Sequence, residues 1–124
     1  MAFVYSAEGD MVCPRGDTGA LKVTVSGITL NAGDMLVFGV FDPVRGRTLL
    51  RKQAEIVNGE AILTFTNADT RGLRPGMYRY NLRIVTDPEL DEKGNVVCLD
   101  DTDNVISVYN EMPRFWVKEA GVHV

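Results

Sequence analysis

Two adjoining segments, Asn58-Gly59-Glu60-Ala61-Ile62-Leu63-Thr64-Phe65 and Leu73-Arg74-Pro75-Gly76-Met77-Tyr78-Arg79-Tyr80-Asn81-Leu82-Arg83-Ile84, decide how this chain folds. Asn58-Gly59 is the dipeptide that two-residue hairpin turns favour, because both central positions need positive φ. Beyond it, Ala61, Leu63 and Phe65 alternate with Glu60, Ile62, Thr64 and Thr66, the period of a strand with one face on a core. The alternation breaks over 67–70, and Leu73-Arg74-Pro75-Gly76 predicts a turn. A longer strand follows, with Tyr78, Tyr80, Leu82 and Ile84 on one face and Met77, Arg79, Asn81 and Arg83 on the other. The spacing Leu73-x-Pro75-Gly76-x-Tyr78 predicts a tyrosine corner, in which a tyrosine opening a strand hydrogen-bonds back to loop backbone.

The same reading extends outward. Residues 35–41 form the most apolar run, with Leu36, Phe38 and Val40 on one face and Met35, Val37 and Phe41 on the other. Apolar character on both faces predicts a central strand covered twice, stopped by Asp42-Pro43. Over 47–56, Arg51, Lys52, Gln53 and Glu55 interleave with Leu50, Ala54 and Ile56, a composition suited to an edge strand. Leu21, Val23 and Val25 alternate with Lys22, Thr24 and Ser26, and shorter strands are predicted over 10–14, 95–99, 105–109 and 114–119. In the last of these, Phe115 and Val117 oppose Trp116 and Lys118. No amphipathic helix of three turns is evident. Short strands punctuated by Gly, Pro, Asn and Asp turns predict an all-β sandwich. No internal repeat or linker interrupts the chain.

The 124 residues fit one domain, 1–124, with its core at about 10–119. A net charge of −4 argues against a nucleic-acid surface, which needs a basic footprint. No apolar run reaches the ~18 residues of a membrane span, and the first residues lack the basic start and apolar stretch of a secretory signal. A cytoplasmic site of synthesis with Cys13 and Cys98 reduced is therefore expected. Arg15-Gly16-Asp17 reads as a surface turn rather than an adhesive motif.

Chemistry is hard to find. The sole histidine, His123, lies next to the last residue, so a Ser-His or Cys-His catalytic unit is not expected. Asp87, Glu89, Asp91 and Glu92, then Asp100, Asp101 and Asp103, raise the question of calcium, which needs six to eight converging oxygens. The loop pattern of known calcium sites is absent, since Asp101-x-Asp103 runs into Asn104-Val105, and solvated loop charge is expected instead. No CxxC, metal-ligand spacing or glycine-rich phosphate loop occurs. The expectation is no catalytic residue, no cofactor and no metal.

The order of these signals resembles a family: the immunoglobulin-like N-terminal module of upper baseplate proteins in tailed phages and prophages of Gram-positive bacteria. The resemblance rests on Arg15-Gly16-Asp17-Thr18 before the first long strand and on Leu36-x-Phe38-x-Val40. It continues through Asn58-Gly59 before Ala61-x-Leu63-x-Phe65, then Asp69-Thr70-x-x-Leu73-x-Pro75-Gly76-x-Tyr78-x-Tyr80, and closes on Phe115-x-Val117. The sequence departs from that pattern after Ile84, where two acidic loops and a Pro-bounded segment lengthen the chain. The resemblance implies an immunoglobulin-like β-sandwich of about seven antiparallel strands and a structural, non-enzymatic role, virion- or tail-associated.

Two functions from different classes follow. One is an assembly module that engages protein partners, homo-oligomeric copies included, through an apolar sheet face. The other is a carbohydrate- or cell-surface-binding sandwich module. If Leu36, Phe38 and Val40 face the core, the pleat turns Met35, Val37 and Phe41 outward, and Met77, Arg79 and Arg83 with them. These six residues are the expected protein interface, with Met, Phe and Arg all favoured in such surfaces. The competing expectation is that a loop of the same chain, such as 100–113, covers this face.

Overall fold

The Asn58-Gly59 turn forms as the dipeptide predicts, with φ of 53° and 75° at its two residues. Val57 and Glu60 exchange backbone hydrogen bonds of 2.8 and 3.0 Å across it. In this computed structural model, residues 4–5, 10–16, 18–97, 105–109 and 112–118 are described. Among them run nine strands and one short helix: β1 (Val4–Tyr5), β2 (Met11–Pro14), β3 (Gly19–Thr24), β4 (Met35–Phe41), β5 (Thr48–Glu55), β6 (Glu60–Phe65), α1 (Asn67–Arg71), β7 (Gly76–Val85), β8 (Val105–Ser107) and β9 (Arg114–Lys118).

These strands make an all-β sandwich. One layer is a seven-stranded sheet in the order β1-β2-β9-β7-β4-β5, with β8 also on β7; the other is the β3–β6 pair. β4 is central and β5 terminal, as their compositions predict. Every pair is antiparallel except β2 with β9, which run parallel in the register Met11↔Phe115 to Pro14↔Lys118. That pair departs from an all-antiparallel expectation, and it lies between segments about a hundred residues apart in sequence. The expected strand over 95–99 reduces to one bridge, Leu90↔Val96, among its described residues.

The hydrophobic core lies between the layers. Phe38 on β4 is fully buried, with its ring centroid 5.3 Å from that of Phe65, 5.2 Å from Tyr80 and 6.0 Å from Phe115. Leu63, Leu73 and Leu82 are buried, whereas Tyr78 is only half-buried. The reason is the tyrosine corner: the Tyr78 hydroxyl donates to the Arg74 carbonyl at 2.7 Å, which holds the ring tip at the surface. Cys13 is fully buried, and Cys98 lies outside the described residues.

Polar ties hold the layers together. Lys52 points inward from the edge strand β5, and its Nζ meets Asp69 Oδ2 of α1 at 2.7 Å. An inward charge of this kind also blunts an edge against unwanted strand pairing. Asp69 in turn accepts the Thr66 N–H at 2.7 Å, closing the start of α1. The turn at Arg15-Gly16 is pinned to the same helix: Arg15 Nε donates to the Arg71 carbonyl and the Gly16 N–H to Thr70 Oγ1, both at 2.9 Å. Arg15 is thus part of the scaffold, while Asp17 lies outside the described residues.

Candidate functional site

The outer face of the large sheet is where the sequence places an interface, and the structure divides it in two. Register sets the geometry: across the sheet, Val37 stands opposite Gln53 and Arg83, Gly39 opposite Arg51 and Asn81, and Met77 opposite Trp116. All of these side chains, and Phe41 with them, fall on the face away from the core.

The upper half is covered by the chain itself. Val37 is 3% exposed and packs with Val85 and Val96, with Met35 and Val105 against them. Val37 is therefore a second, small core, not an open interface residue, and Met35 is half-buried beside it. The cover is chiefly the loop after β7, through Val96; of the expected 100–113 segment, Val105 also packs against the cluster. The loop folds as a small turn in which Asp91 accepts the Lys93 and Asn95 N–H groups at 2.8 and 2.9 Å. Those bonds, that from Asn95 foremost, hold the Asp91 carboxyl below its ordinary range, with Arg51 contributing attraction. β5 fastens the loop: Gln53 Nε2 donates to the Gly94 carbonyl at 2.7 Å, and Gln53 Oε1 accepts the Val96 N–H at 3.0 Å. Arg51 Nη2 donates to the Val96 carbonyl. At the start of the loop, buried Asp34 accepts the Asp87 N–H at 2.9 Å and the Asn31 N–H at 2.8 Å.

The lower half is open. Phe41, Met77, Arg79 and Trp116 are each half-buried, and Arg114 and Lys118 are exposed. Arg79 and Arg114 stand directly opposite each other on β7 and β9, and Arg79 Nη1 donates to the Met112 carbonyl at 3.0 Å. Lys118 Nζ sits 5.1 Å from the Trp116 ring centroid. Between the halves lies a cleft of about 220 Å³ over Gly39, bounded by Phe41, Arg51, Asn81 and Arg83. Turned toward Arg83, the Asn81 amide oxygen accepts from its guanidinium at 3.1 and 3.3 Å. A chain of net charge −4 thus gathers five cations, Arg51, Arg79, Arg83, Arg114 and Lys118, on one face.

Of the six expected interface residues, the open strip keeps Phe41, Met77 and Arg79. Arg83 is half-buried at the cleft, and Met35 and Val37 belong to the covered half. Trp116, Arg114 and Lys118 complete the strip and were not among the expected residues. Their signal was legible, because Trp116 and Lys118 oppose core residues Phe115 and Val117 on a strand; only the pairing of β9 with β7 puts them beside Met77.

Among the described residues, no group of three or more His, Cys, Asp or Glu converges as a metal site would. Asp100, Asp101, Asp103 and His123 lie outside the described residues. No described helix is long and apolar enough to cross a membrane. Comparison with family models, curated proteins and solved structures finds no match.

Proposed function

We propose that this protein is a non-enzymatic assembly module that docks a protein partner on the open half of its large sheet. The observation that carries this reading is the strip itself. Met77 and Trp116 keep solvent exposure directly opposite each other, Phe41 does so opposite Arg79 on the neighbouring strand, and three cations border them. Aromatic residues, Met and Arg are the residue types enriched where proteins meet. The resemblance to phage baseplate modules, carried by the strand and corner motifs quoted above, agrees with a structural role.

Charge selects the class of partner. A symmetric pairing of this face with itself would set Arg79 and Arg114 against their own copies, and like charges juxtaposed across an interface are costly. The partner is therefore a protein surface presenting carboxylates around an apolar centre. The carbohydrate reading needs a free aromatic platform, and Lys118 already occupies a face of Trp116.

Selection of a displayed random-peptide library on the purified protein tests this. Enriched peptides should combine Asp or Glu with large apolar residues, and binding should fall at least ten-fold in Trp116→Ala and in Arg79→Glu. Losing a central aromatic or arginine anchor costs about 2 kcal/mol or more. Enrichment indifferent to both substitutions would refute the site. Glycan-array binding that disappears in Trp116→Ala would transfer the function to the carbohydrate class.

A further inference from the structure

The second layer of the sandwich stops short. It has two strands, β3 and β6, beneath a sheet of seven. Two strands alone are marginal in water, and among the described residues no further strand flanks β3. Leu21 and Val23 point toward the core and are only half-buried. They line a groove of about 430 Å³ with Leu82, Val108 and Tyr109, and Val108 remains 44% exposed.

The backbone of β3 says what shape fits that groove. Register pairs Thr24 with Glu60 and so Val25 with Gly59, and the Val25 N–H donates to the Gly59 carbonyl at 2.7 Å. Bonded and non-bonded pairs alternate along an antiparallel ladder. Val23, Leu21 and Gly19 therefore direct their backbone groups at β6, and Ala20, Lys22 and Thr24 direct theirs at the open flank. Among the described residues, no backbone hydrogen bond from another strand reaches these three. A row of vacant donors and acceptors beside an apolar groove is the template for strand addition.

We infer that the free edge of β3 accepts an extended segment of another protein, with apolar residues at alternate positions and a carboxylate facing Lys22. The apolar side chains would enter the groove between Leu21, Val23 and Tyr109, completing the second layer. Lys22 supplies the charge preference: it is the one charged residue of β3, 60% exposed, and its Glu60 partner lies across the ladder at 3.4 Å. A second copy of this chain pairing β3 to β3 about its centre would set Lys22 against Lys22, and like charges directly opposite are destabilising. This surface lies on the opposite layer from the cationic strip and does not depend on it.

The test uses the whole protein and a blocked synthetic peptide, Thr-Val-Asp-Val-Thr-Val, with its scramble and its Asp→Lys analogue. Amide exchange followed by NMR is the main readout. Binding should slow exchange at Ala20, Lys22 and Thr24 while Leu21 and Val23, already bonded to β6, change little. The Asp peptide should bind two- to five-fold tighter than its Lys analogue, and Lys22→Glu should reverse that order, since a cross-strand charge pair contributes about 0.2–1 kcal/mol. Lys22→Gln, which leaves no charge to repel Glu60, should erase the preference and serves if Lys22→Glu fails to fold. Equal protection by the scramble, or no alternating protection, would overturn the inference. Concentration-dependent protection of the same amides without peptide, with a doubled mass, would overturn the choice of a foreign strand.

Discussion

Replacing Val37 by Glu separates a covered sheet face from an exposed one. Val37 is 3% exposed under Val96 and Val85, so a carboxylate there has two options. It can stay beneath the loop, where a buried ion costs several kcal/mol, offset in part by Arg83 across the ladder. Or the loop can lift and admit water. Lifting gives up the burial of Val37 and part of that of Val96, about 1.5–3 kcal/mol for each valine if complete. It also gives up the two Gln53 bonds to the loop, at about 0.5–1.5 kcal/mol each, though water replaces them. The cheaper route sets the outcome, a loss of about 2–4 kcal/mol, within the range known for disrupting a packed cluster. For a domain of 124 residues that lowers the melting temperature by roughly 10 °C. Circular-dichroism melting and light scattering read stability and mass, and hydrogen exchange reads the loop. The variant should melt early, keep the parent's mass and lose protection over 88–97. Unchanged melting with a smaller particle would refute the covered face and return Val37 to an interface.

Tyr78→Phe removes the corner hydroxyl and should cost around 1 kcal/mol by chemical denaturation; a neutral result would mean the bond to Arg74 contributes nothing. Phe38→Ala empties the ring-lined centre of the core and should cost about 3–5 kcal/mol in the same assay. Asp91 gives a pH dependence. Its folded pKa lies below the ordinary 3.8, so its support of the loop is complete above that value and is lost as pH falls through the lowered one. Acid titration should therefore loosen 88–97 before the core strands, and Asp91→Asn should flatten that response.

Local pattern was enough for most of the strands and for which side of those faces in, though not for 95–99, which keeps one bridge among its described residues, nor for β1. Alternation at Ala61, Leu63 and Phe65, at Tyr80, Leu82 and Ile84, and at Phe115 and Val117 reflects a pleat that sends neighbours to opposite faces, and burial follows it closely. The tyrosine corner was legible too, because donor and acceptor are four residues apart. Asn58-Gly59 specified its turn but not what the turn joins. The ladder stops after Val57↔Glu60, since β5 belongs to β4 and β6 to β3. Nothing within a few residues encodes that divergence; it follows from the competition of whole strands for partners. The same holds for the cover on Val37. Gln53 reads as an ordinary edge-strand residue until the fold brings Gly94 and Val96, 41 and 43 positions away, onto its amide. Asp34 likewise reads as a turn residue, and only the folded chain shows it buried and holding Asp87, 53 positions on. A residue's own chemistry sets which contacts it can make, but closure of the chain over such separations decides which it does make, and that is a property of the packed layers.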